Sequence, residues 1–201
     1  MRTRYLGRRS PEENALRDFF LVYASALAPE ELFELYGWSE PCLSLGYHQK
    51  PLNFPIKQVR RPTGGGALFH GPDLSFRLVV LRRESPAAFY RRFTAALGRL
   101  FAKAGIRLYP CPEVAADRTL CHLYPARGEL CSADGRKLVA AALRTSRNTY
   151  FLHGTVYAEP PKEAPFKDFS GRVVSAKELG LTEEELKALL GSFPLVWRGR
   201  G

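Results

Sequence analysis

The sequence is short of the features that would assign it to a protein class at once. No stretch approaches the roughly 18 apolar residues that a membrane span needs, and no apolar run follows the basic segment 1–10 as in a signal peptide. The four cysteines, Cys42, Cys111, Cys121 and Cys131, lack C-x-x-C spacing, so neither a zinc site nor a redox pair is indicated. We therefore expect a soluble, cytoplasmic protein without a bound metal, whose cysteines are free thiols and include a candidate nucleophile.

Acidic residues are also few relative to basic ones. The 201 residues contain 30 Lys and Arg against 20 Asp and Glu, which gives a net charge of +10 and a sequence pI near 9.7. Such a balance predicts an acidic or phosphorylated partner, and nucleic acid and acidic carrier proteins both fit that description. The sequence shows neither a recognition helix nor an aromatic-studded basic strand, so we do not expect nucleic acid to be the partner.

What the chain does contain is enough apolar sequence for a core, because hydrophobic residues make up 45% of it. Helical spacing predicts a helix over 11–28, from Ala15, Leu16, Phe19, Phe20 and Tyr23, and further helices over 86–103 and 182–193. Strands are predicted at 32–36, 42–46, 58–61, 76–81, 106–109, 129–132, 137–144 and 150–157, with loops at 110–123 and 162–169. This pattern indicates an α+β fold, with helices packed on a mixed or antiparallel sheet.

The segment 60–76, RRPTGGGALFHGPDLSF, is the most unusual stretch of the chain. Gly64, Gly65 and Gly66 remove every Cβ from three successive residues, so a ligand can lie directly on the peptide planes. His70 follows four residues later, and apolar alternation then resumes as in a strand. By itself this pattern favours a hairpin tip and a binding loop about equally.

Four segments in order resemble the lipoate–protein ligase and octanoyltransferase group of the biotin/lipoate protein ligase superfamily. They are PCLSLGYHQ at 41–49, RRPTGGGALFH at 60–70, DGRKLVAAA at 134–142 and FLHGT at 151–155. Four ordered matches are far more specific than any single motif. The resemblance implies one catalytic domain over 1–201, with a helical appendage over about 175–201 and no separate accessory domain.

Two residues carry the chemistry that the resemblance implies. Lys137 follows a predicted hairpin turn, where position alone favours an exposed edge-strand lysine. The family's matching lysine instead points into the acyl pocket, where a cation stabilises the oxyanion of acyl transfer. Cys121 begins the segment CHLYPARGEL, which is similar to the Cys-Phe-x-x-Pro-x-x-x-Glu-Leu segment of octanoyltransferases whose cysteine carries the acyl group as a thioester. We expect Lys137 to lower the pKa of this thiol, whereas Cys111 and Cys131 are structural.

The resemblance also implies a set of substrate-binding residues: Arg61, Gly64, Gly65, Gly66, His70, Ala140, His153, Gly154 and Thr155. The two histidines fit buried groups that hold loops better than they fit acid–base catalysts, although His153 could also orient the incoming amine. Arg60 and Arg61 are candidates for contact with a pantetheine or adenylate phosphate, and otherwise for a solvated basic surface.

The sequence departs from the family pattern at Ala140-Ala141-Ala142, where the family has Gly-Ser-Ala. The extra methyl groups thicken the backbone beside the expected substrate. The sequence leaves open whether this change impairs catalysis. Gly66 retains the ligase form of the loop, whereas Cys121 and the short spacing of 70–76 match the transferases. We predict transfer of an octanoyl group, without a cofactor, from acyl carrier protein to a lipoyl domain such as that of the glycine cleavage H protein or a 2-oxoacid dehydrogenase E2.

Three alternatives stay open at this point. One is an ATP- and Mg-dependent lipoate–protein ligase that acts through an acyl-adenylate, with Lys137 essential and Cys121 dispensable. Another is an amidotransferase that moves the acyl group between two lipoyl domains. The third is a non-enzymatic module that binds an acyl carrier or nucleic acid. The sequence does not distinguish an octanoyl from a lipoyl donor, nor does it give the oligomeric state.

Overall fold

The computed structural model describes residues 1–112, 119–121, 128–161 and 171–199. Its α-helices are α1 Pro11–Leu27, α2 Pro86–Lys103, α3 Glu183–Gly191 and α4 Phe193–Arg198. Its strands are β1 Arg2–Arg9, β2 Leu32–Trp38, β3 Cys42–Leu45, β4 Gln58–Arg60, β5 Leu68–His70, β6 Asp73–Leu81, β7 Tyr109–Pro110, β8 Leu130–Cys131, β9 Lys137–Thr145 and β10 Thr149–Tyr157. The first two predicted helices are confirmed, and the third is divided in two at Ser192.

The strands form two sheets. Seven of them hydrogen bond in the order β1-β2-β6-β10-β9-β8-β7, and three form a smaller sheet in the order β4-β3-β5. Strand β1 pairs with β2 in parallel, as β3 does with β4, and the other pairs are antiparallel. With helices packed on the sheet, this arrangement confirms the predicted α+β fold with a mixed sheet.

One face of the seven-stranded sheet carries the main hydrophobic core. Residues directly opposed across neighbouring strands share a face, so Phe76 on β6 and its partner Gly154 on β10 both point to this side. Helix α2 packs there, with the ring centroid of Phe93 5.9 Å from that of Phe76. Helix α4 closes the same core through Phe193, 5.0 Å from the ring of Phe33 on β2. Burial of these aromatic side chains stabilises this layer by about 2 kcal/mol for each.

The opposite face of the same sheet is polar at its centre. Glu34, Arg77 and His153 lie side by side on β2, β6 and β10, and all three are buried. Helix α1 covers them, and Arg77 Nη2 donates to the backbone carbonyl of Asn14 at 2.9 Å while Nε donates to the carboxylate of Asp18. Buried charges require such partners, because an unpaired ion in the interior is strongly destabilising.

Helix α1 therefore turns a partly polar face inward, which its apolar spacing did not predict. Ser10 and Glu13 form the capping box that starts the helix. Leu16, Phe20 and Tyr23, three of the residues on which the prediction depended, are 72%, 56% and 63% exposed. The buried residues of the helix are Pro11, Asn14, Asp18, Leu21, Val22 and Ser25.

Two strands were not predicted, and two predicted strands were clearly too long, of which the one at 129–132 spans only Leu130–Cys131. Strand β1 lies in a segment interpreted only as basic, and β5 follows the glycine run directly. The strand predicted at 106–109 is reduced to β7, because Ile106 still belongs to the end of α2. Its amide bonds to the carbonyl of Phe101 while the amide of Gly105 bonds to that of Ala102, which is a Schellman motif.

The prediction of four free thiols is wrong for two of them. Cys111 and Cys131 form a disulfide across the β7–β8 pair, whereas Cys42 and Cys121 are free. The geometric cause is the pairing of Tyr109 with Cys131, which brings the two Cα atoms to 5.2 Å, within the range that a disulfide spans. Their predicted structural role is confirmed.

Some predictions fall where the structure gives no description. The loop predicted at 162–169 lies outside the described residues, as does much of the loop predicted at 110–123. Of the helices in the described part of the chain, none combines the length and apolar character that a bilayer crossing needs.

Candidate active site

Lys137 is the first residue of β9, and its side chain is buried rather than exposed at the sheet edge. Its Nζ lies 2.7 Å from Oε2 of Glu129, and only 3% of the lysine side chain and none of the glutamate side chain are exposed. Nζ also donates to the backbone carbonyl of Cys121. The lysine thus reaches the residue predicted as its catalytic partner.

Cys121 is held against the end of the glycine loop by its backbone. Its amide donates to the carbonyl of Ala67 at 2.8 Å, and the amide of Ala67 donates to the carbonyl of Thr119 at 2.8 Å. A Cβ built on Gly65 would lie 4.0 Å from Cys121 Sγ, so the thiol and the loop are neighbours. The structure therefore brings Cys121, Lys137 and the glycine loop together in one place.

The electrostatic environment of the thiol differs from the predicted one. Burial raises the pKa of Cys121 above its ordinary value, and the Glu129 carboxylate raises it further, because Sγ lies 3.8 Å from Oε1. The positive charges of Lys137 and Arg61 act in the opposite direction and do not outweigh these effects. Lys137 lowers the thiol pKa as expected, but the net shift is upward, so the protein holds Cys121 as a thiol near neutral pH.

Arg61 organises the backbone of the glycine loop from below. Its Nη2 donates to the carbonyls of Gly64, at 2.9 Å, and Gly66, at 2.6 Å, while Nη1 donates to the carbonyl of Ser44 at 2.5 Å. Nε donates to Thr63 Oγ1 at 3.2 Å, and the side chain is almost completely buried. This burial excludes the solvated surface that was one alternative for Arg61, and the contacts indicate a role in positioning the loop. Whether Arg61 also contacts substrate stays a prediction.

Two chains of hydrogen bonds run from Arg61 to buried carboxylates. In the first, Thr63 Oγ1 lies 2.8 Å from His153 Nε2, and His153 Nδ1 lies 3.0 Å from Asp18 Oδ2. Every pair has one donor if the imidazole is neutral with its proton on Nδ1. Burial favours that form, since it lowers the pKa of His153, and the hydrogen bond and charge of Asp18 only partly oppose the effect.

The second chain runs through the smaller sheet. Arg61 Nη1 lies 3.2 Å from Ser44 Oγ, which is 2.9 Å from His70 Nε2, and His70 Nδ1 is 2.9 Å from Asp73 Oδ2. The same carboxylate accepts hydrogen bonds from Ser75, at 2.8 Å, and from Thr155. Both histidines are therefore buried hydrogen-bonding groups, the setting that the sequence favoured for them. His153 holds Thr63 beside the glycine loop, whereas His70 links β3 to β6.

Arg60 stabilises a neighbouring turn in a similar way. Its Nη1 donates to the carbonyls of Gly46, Tyr47 and Gln49, each at 2.8 Å. Gly46 lies directly under the glycine loop, because a Cβ there would come within 1.9 Å of the carbonyl oxygen of Gly65. Gly65 itself has φ +93°, a conformation that favours glycine, whereas a Cβ on Gly64 would meet no atom within 4 Å.

The remaining predicted substrate-binding residues divide between the two faces of the sheet. Ala140 and Thr155 are paired and share the polar face with His153. Gly154 points the other way, into the apolar core, where a Cβ would lie 2.4 Å from Phe76 Cζ. The structure thus gives Gly154 a packing role and does not bring it to Cys121. Whether Ala140 contacts substrate stays a prediction.

Several site residues were missed by sequence reasoning. Glu129 stood inside the quoted cysteine segment, and Asp73 stood three residues after His70, so motif membership was a usable signal for both. Thr63 likewise stood inside the quoted segment 60–70, whereas Asp18 gave no comparable signal, since its partner His153 lies 135 residues away. A surface cavity of about 360 Å³ beside Trp38 and Phe69 includes none of the predicted site residues.

The comparisons with known proteins identify the family of this chain. Residues 11–178 match the family profile of the lipoyl protein ligase A/B catalytic domain. Because that match covers most of the chain, the protein belongs to this family, and the resemblance to the biotin/lipoate ligase superfamily is confirmed.

Curated relatives within the family are octanoyltransferases by name. The chain is 26% identical over 189 residues to octanoyltransferase LipM of Halalkalibacterium halodurans, covering 82% of this chain and 68% of that protein. It is 27% identical over 187 residues to the LipM of Bacillus subtilis, covering 81% and 67% of the two chains.

Solved structures show the same fold. A T. acidophilum protein with bound lipoic acid superposes with a TM-score of 0.79 at 18% identity, covering 96% of this chain and 84% of its own. A lipoate-protein ligase A bound with ATP gives a TM-score of 0.76 at 18% identity, with the same coverage. At this level of identity the likeness establishes the fold.

Proposed function

We propose that this protein is an octanoyltransferase of protein lipoylation, which moves an octanoyl group from acyl carrier protein through a Cys121 thioester to a lysine of a lipoyl domain. The observation that carries the proposal is the position of the Cys121 thiol, next to the buried Lys137–Glu129 pair and the Gly65 backbone. A sulfur nucleophile beside a buried ammonium group suits transfer between a thioester and an amine.

In the first half-reaction, Cys121 Sγ attacks the carbonyl carbon of the donor thioester and the thiol of the carrier's prosthetic group departs. In the second, the neutral amine of the acceptor lysine attacks the Cys121 thioester, an amide forms and the cysteine thiol is restored. Each step passes through an oxyanion, which Lys137 Nζ and backbone amides of the glycine loop stabilise. No cofactor takes part in this scheme.

The partners follow from the chemistry and the charge. Acyl carrier proteins and lipoyl domains are acidic, and this chain has a net charge of +10. Acceptors in this proposal are the glycine cleavage H protein or the lipoyl domain of a 2-oxoacid dehydrogenase E2. One structural neighbour was solved as a bipartite lipoate protein ligase with its E2 lipoyl domain, which supports a lipoyl domain as the acceptor class.

A second candidate function is ATP-dependent ligation of free lipoate. The observation in its favour is Gly66, the ligase form of the loop, together with the fold likeness to a ligase bound with ATP. On that route Lys137 binds an acyl-adenylate, ATP and Mg are required, and Cys121 is a packing residue.

The experiment that separates the two is mass spectrometry of an apo lipoyl domain. We expect octanoylation after incubation with the protein and octanoyl-carrier protein in the absence of ATP, and loss of that product in Cys121→Ser and Lys137→Ala. Modification that instead requires free acid and ATP, and survives Cys121→Ser, would assign the ligase function. No modification under either condition would leave a binding module.

A further inference from the structure

We infer that Glu129 is a third catalytic residue, which accepts the proton of the Cys121 thiol when the sulfur attacks the donor and delivers it to the departing thiol. The inference rests on the proposed transferase function. Glu129 is buried, and its two carboxylate oxygens have different neighbours: Oε1 lies 3.8 Å from Cys121 Sγ and Oε2 lies 2.7 Å from Lys137 Nζ.

The three groups form a bridge with the carboxylate at its centre. The thiol points its donor toward one oxygen, and the ammonium group fixes the other, so the carboxylate cannot rotate away from the sulfur. Backbone contacts fix both ends, because Cys121 is bonded to Ala67 and the carbonyl of Glu129 accepts the amide of Cys111 at 3.1 Å. A base must lie within hydrogen-bond reach of the proton that it removes, and Glu129 meets this condition.

The resting protein needs such a base because its nucleophile is held protonated. Among the residues that the structure describes, the charged groups around the sulfur are Glu129, Lys137 and Arg61, and their combined effect with burial raises the thiol pKa. Attack by the neutral thiol therefore requires its proton to leave as the carbon–sulfur bond forms. Of the described groups beside the sulfur, the Glu129 carboxylate is an acceptor within reach of the thiol, with Oε1 3.8 Å from Sγ.

The proton balance closes over one turnover. As Sγ bonds to the acyl carbon, the S–H proton moves to Glu129 Oε1; when the tetrahedral intermediate collapses, the bond to the donor sulfur breaks and that sulfur takes the proton. In the second half-reaction the amine's proton moves to Glu129 and then to Cys121 Sγ as the thioester bond breaks. The net products are an amide and a free carrier thiol.

The test compares two rates in the same variant. In Glu129→Gln the carboxylate charge is removed while Lys137 and Arg61 remain, so Cys121 becomes more acidic and its alkylation by iodoacetamide at pH 7 becomes faster. Octanoyl transfer becomes slower, by about 10²- to 10⁴-fold, because the amide cannot accept a proton. A loosened site would also expose the thiol and speed its alkylation, so the pH dependence of transfer is the readout that a merely structural residue would not move.

A pH profile adds a second readout. Residual transfer by Glu129→Gln should rise with pH as the thiol ionises, whereas wild-type transfer should vary less over the same range because Glu129 removes the proton. Glu178→Gln is the matched control, since Glu178 is a partly exposed carboxylate paired with Arg136, next to Lys137 in the chain. It should leave both rates at the wild-type level.

Glu129→Asp guards against loss of folding, because it keeps a negative charge beside Lys137 but withdraws the carboxylate from the sulfur by one methylene. We expect it to fold and to lose transfer without faster alkylation. Transfer at the wild-type rate in either variant, or alkylation of Glu129→Gln that is unchanged or slower, would overturn the inference. If the wild-type protein transfers no octanoyl group, while Glu129→Gln is still alkylated faster than the wild type, the proposed function is refuted. The electrostatic coupling between Glu129 and the Cys121 thiol would then stand by itself.

Discussion

At the scale of single residues, the site depends on a guanidinium that faces the protein interior. Arg61 donates to carbonyls of Ser44, Gly64 and Gly66, and its other contacts begin the chains that end at Asp18 and Asp73. Burial lowers the pKa of Arg61, and acidic groups near it, including Asp18, oppose that effect. Polar networks of this kind are rigid when every member has its partner, so the loop conformation is set before substrate arrives.

Asp73 gives this network a measurable pH dependence. Burial opposes ionisation of its carboxyl group, but the charge of His70 and hydrogen bonds from His70, Thr155 and Gly71 outweigh it and lower the pKa from 3.8 to about 2. Since the folded-state pKa lies below the unfolded value, the stabilisation is present above pH 4 and is lost as pH falls toward 2. Wild-type protein should lose about 2 kcal/mol of unfolding free energy over this range through Asp73.

Urea unfolding at several pH values measures this change in the free energy of unfolding. The Asp73→Asn variant, which has no carboxyl group at this position, should not show it. Asp134→Asn is a useful comparison, because its pKa is also lowered to about 2 but its side chain is 51% exposed, so solvent screening makes its contribution smaller. If Asp73→Asn and wild-type protein lost stability in parallel below pH 4, the role of Asp73 as an ionised anchor would be contradicted.

At the scale of elements, the glycine loop and the turn after β3 approach each other without room for a methyl group. A Cβ at Gly46 would lie 1.9 Å from the carbonyl oxygen of Gly65, whereas a Cβ at Gly64 meets no atom within 4 Å. We predict that Gly46→Ala forces the loop to move, lowering stability by about 1–3 kcal/mol and displacing Gly65 from Cys121. The unfolding temperature and the rate of acyl transfer should both be lower than in the wild type.

Gly64→Ala is the matched variant for stability alone. The added methyl group enters open space and Gly64 needs no left-handed conformation, so its unfolding temperature should stay at or slightly above that of the wild type. Equal stability losses in Gly46→Ala and Gly64→Ala would show that the close contact does not determine the loop position.

The disulfide between Cys111 and Cys131 also acts at the scale of elements, because it links the two ends of the segment that contains Cys121. Cys111 and Cys131 are 20 residues apart, and the nucleophile lies between them. Cys131→Ser should lower the unfolding free energy by about 2–4 kcal/mol and reduce acyl transfer, since the loop gains freedom in both states. Cys42→Ser, a change at a buried thiol outside this segment, is the control. Wild-type activity and stability in Cys131→Ser would contradict the claim that the disulfide restricts the segment containing Cys121.

Much of this arrangement was predictable, and the limits have physical causes. The observed cap residues Ser10, Ser85 and Thr182 stand at the starts of the three predicted helices, and Lys137 follows the predicted hairpin turn, which contains Gly135. Short motifs identified Cys121 and Lys137 because their family resemblance is local in sequence. The polar inner face of α1 was not predictable from spacing, since Asp18 is buried only through partners on distant strands. The disulfide likewise depends on pairing that no spacing rule supplies.

At the scale of the whole molecule, charge governs the encounter with partners. In the proposed function, a net charge of +10 attracts acidic carrier proteins over distances of about 8 Å at physiological salt, and added salt screens that attraction. We predict that KM for octanoyl-carrier protein rises with ionic strength. The rate with a small neutral octanoyl thioester should change little, because no charged surface is then involved. Equal salt effects on both donors would argue against electrostatic recognition.

The central claim is that Cys121 carries the acyl group, and intact-protein mass spectrometry after rapid acid quench tests it most directly. With octanoyl-carrier protein as the only substrate, we predict one octanoyl group on the wild-type protein, located on the Cys121 peptide and absent in Cys121→Ser. Addition of an apo lipoyl domain should remove it and produce the octanoylated domain. Transfer to the domain without any octanoyl-Cys121, or in the Cys121→Ser variant, would contradict the account.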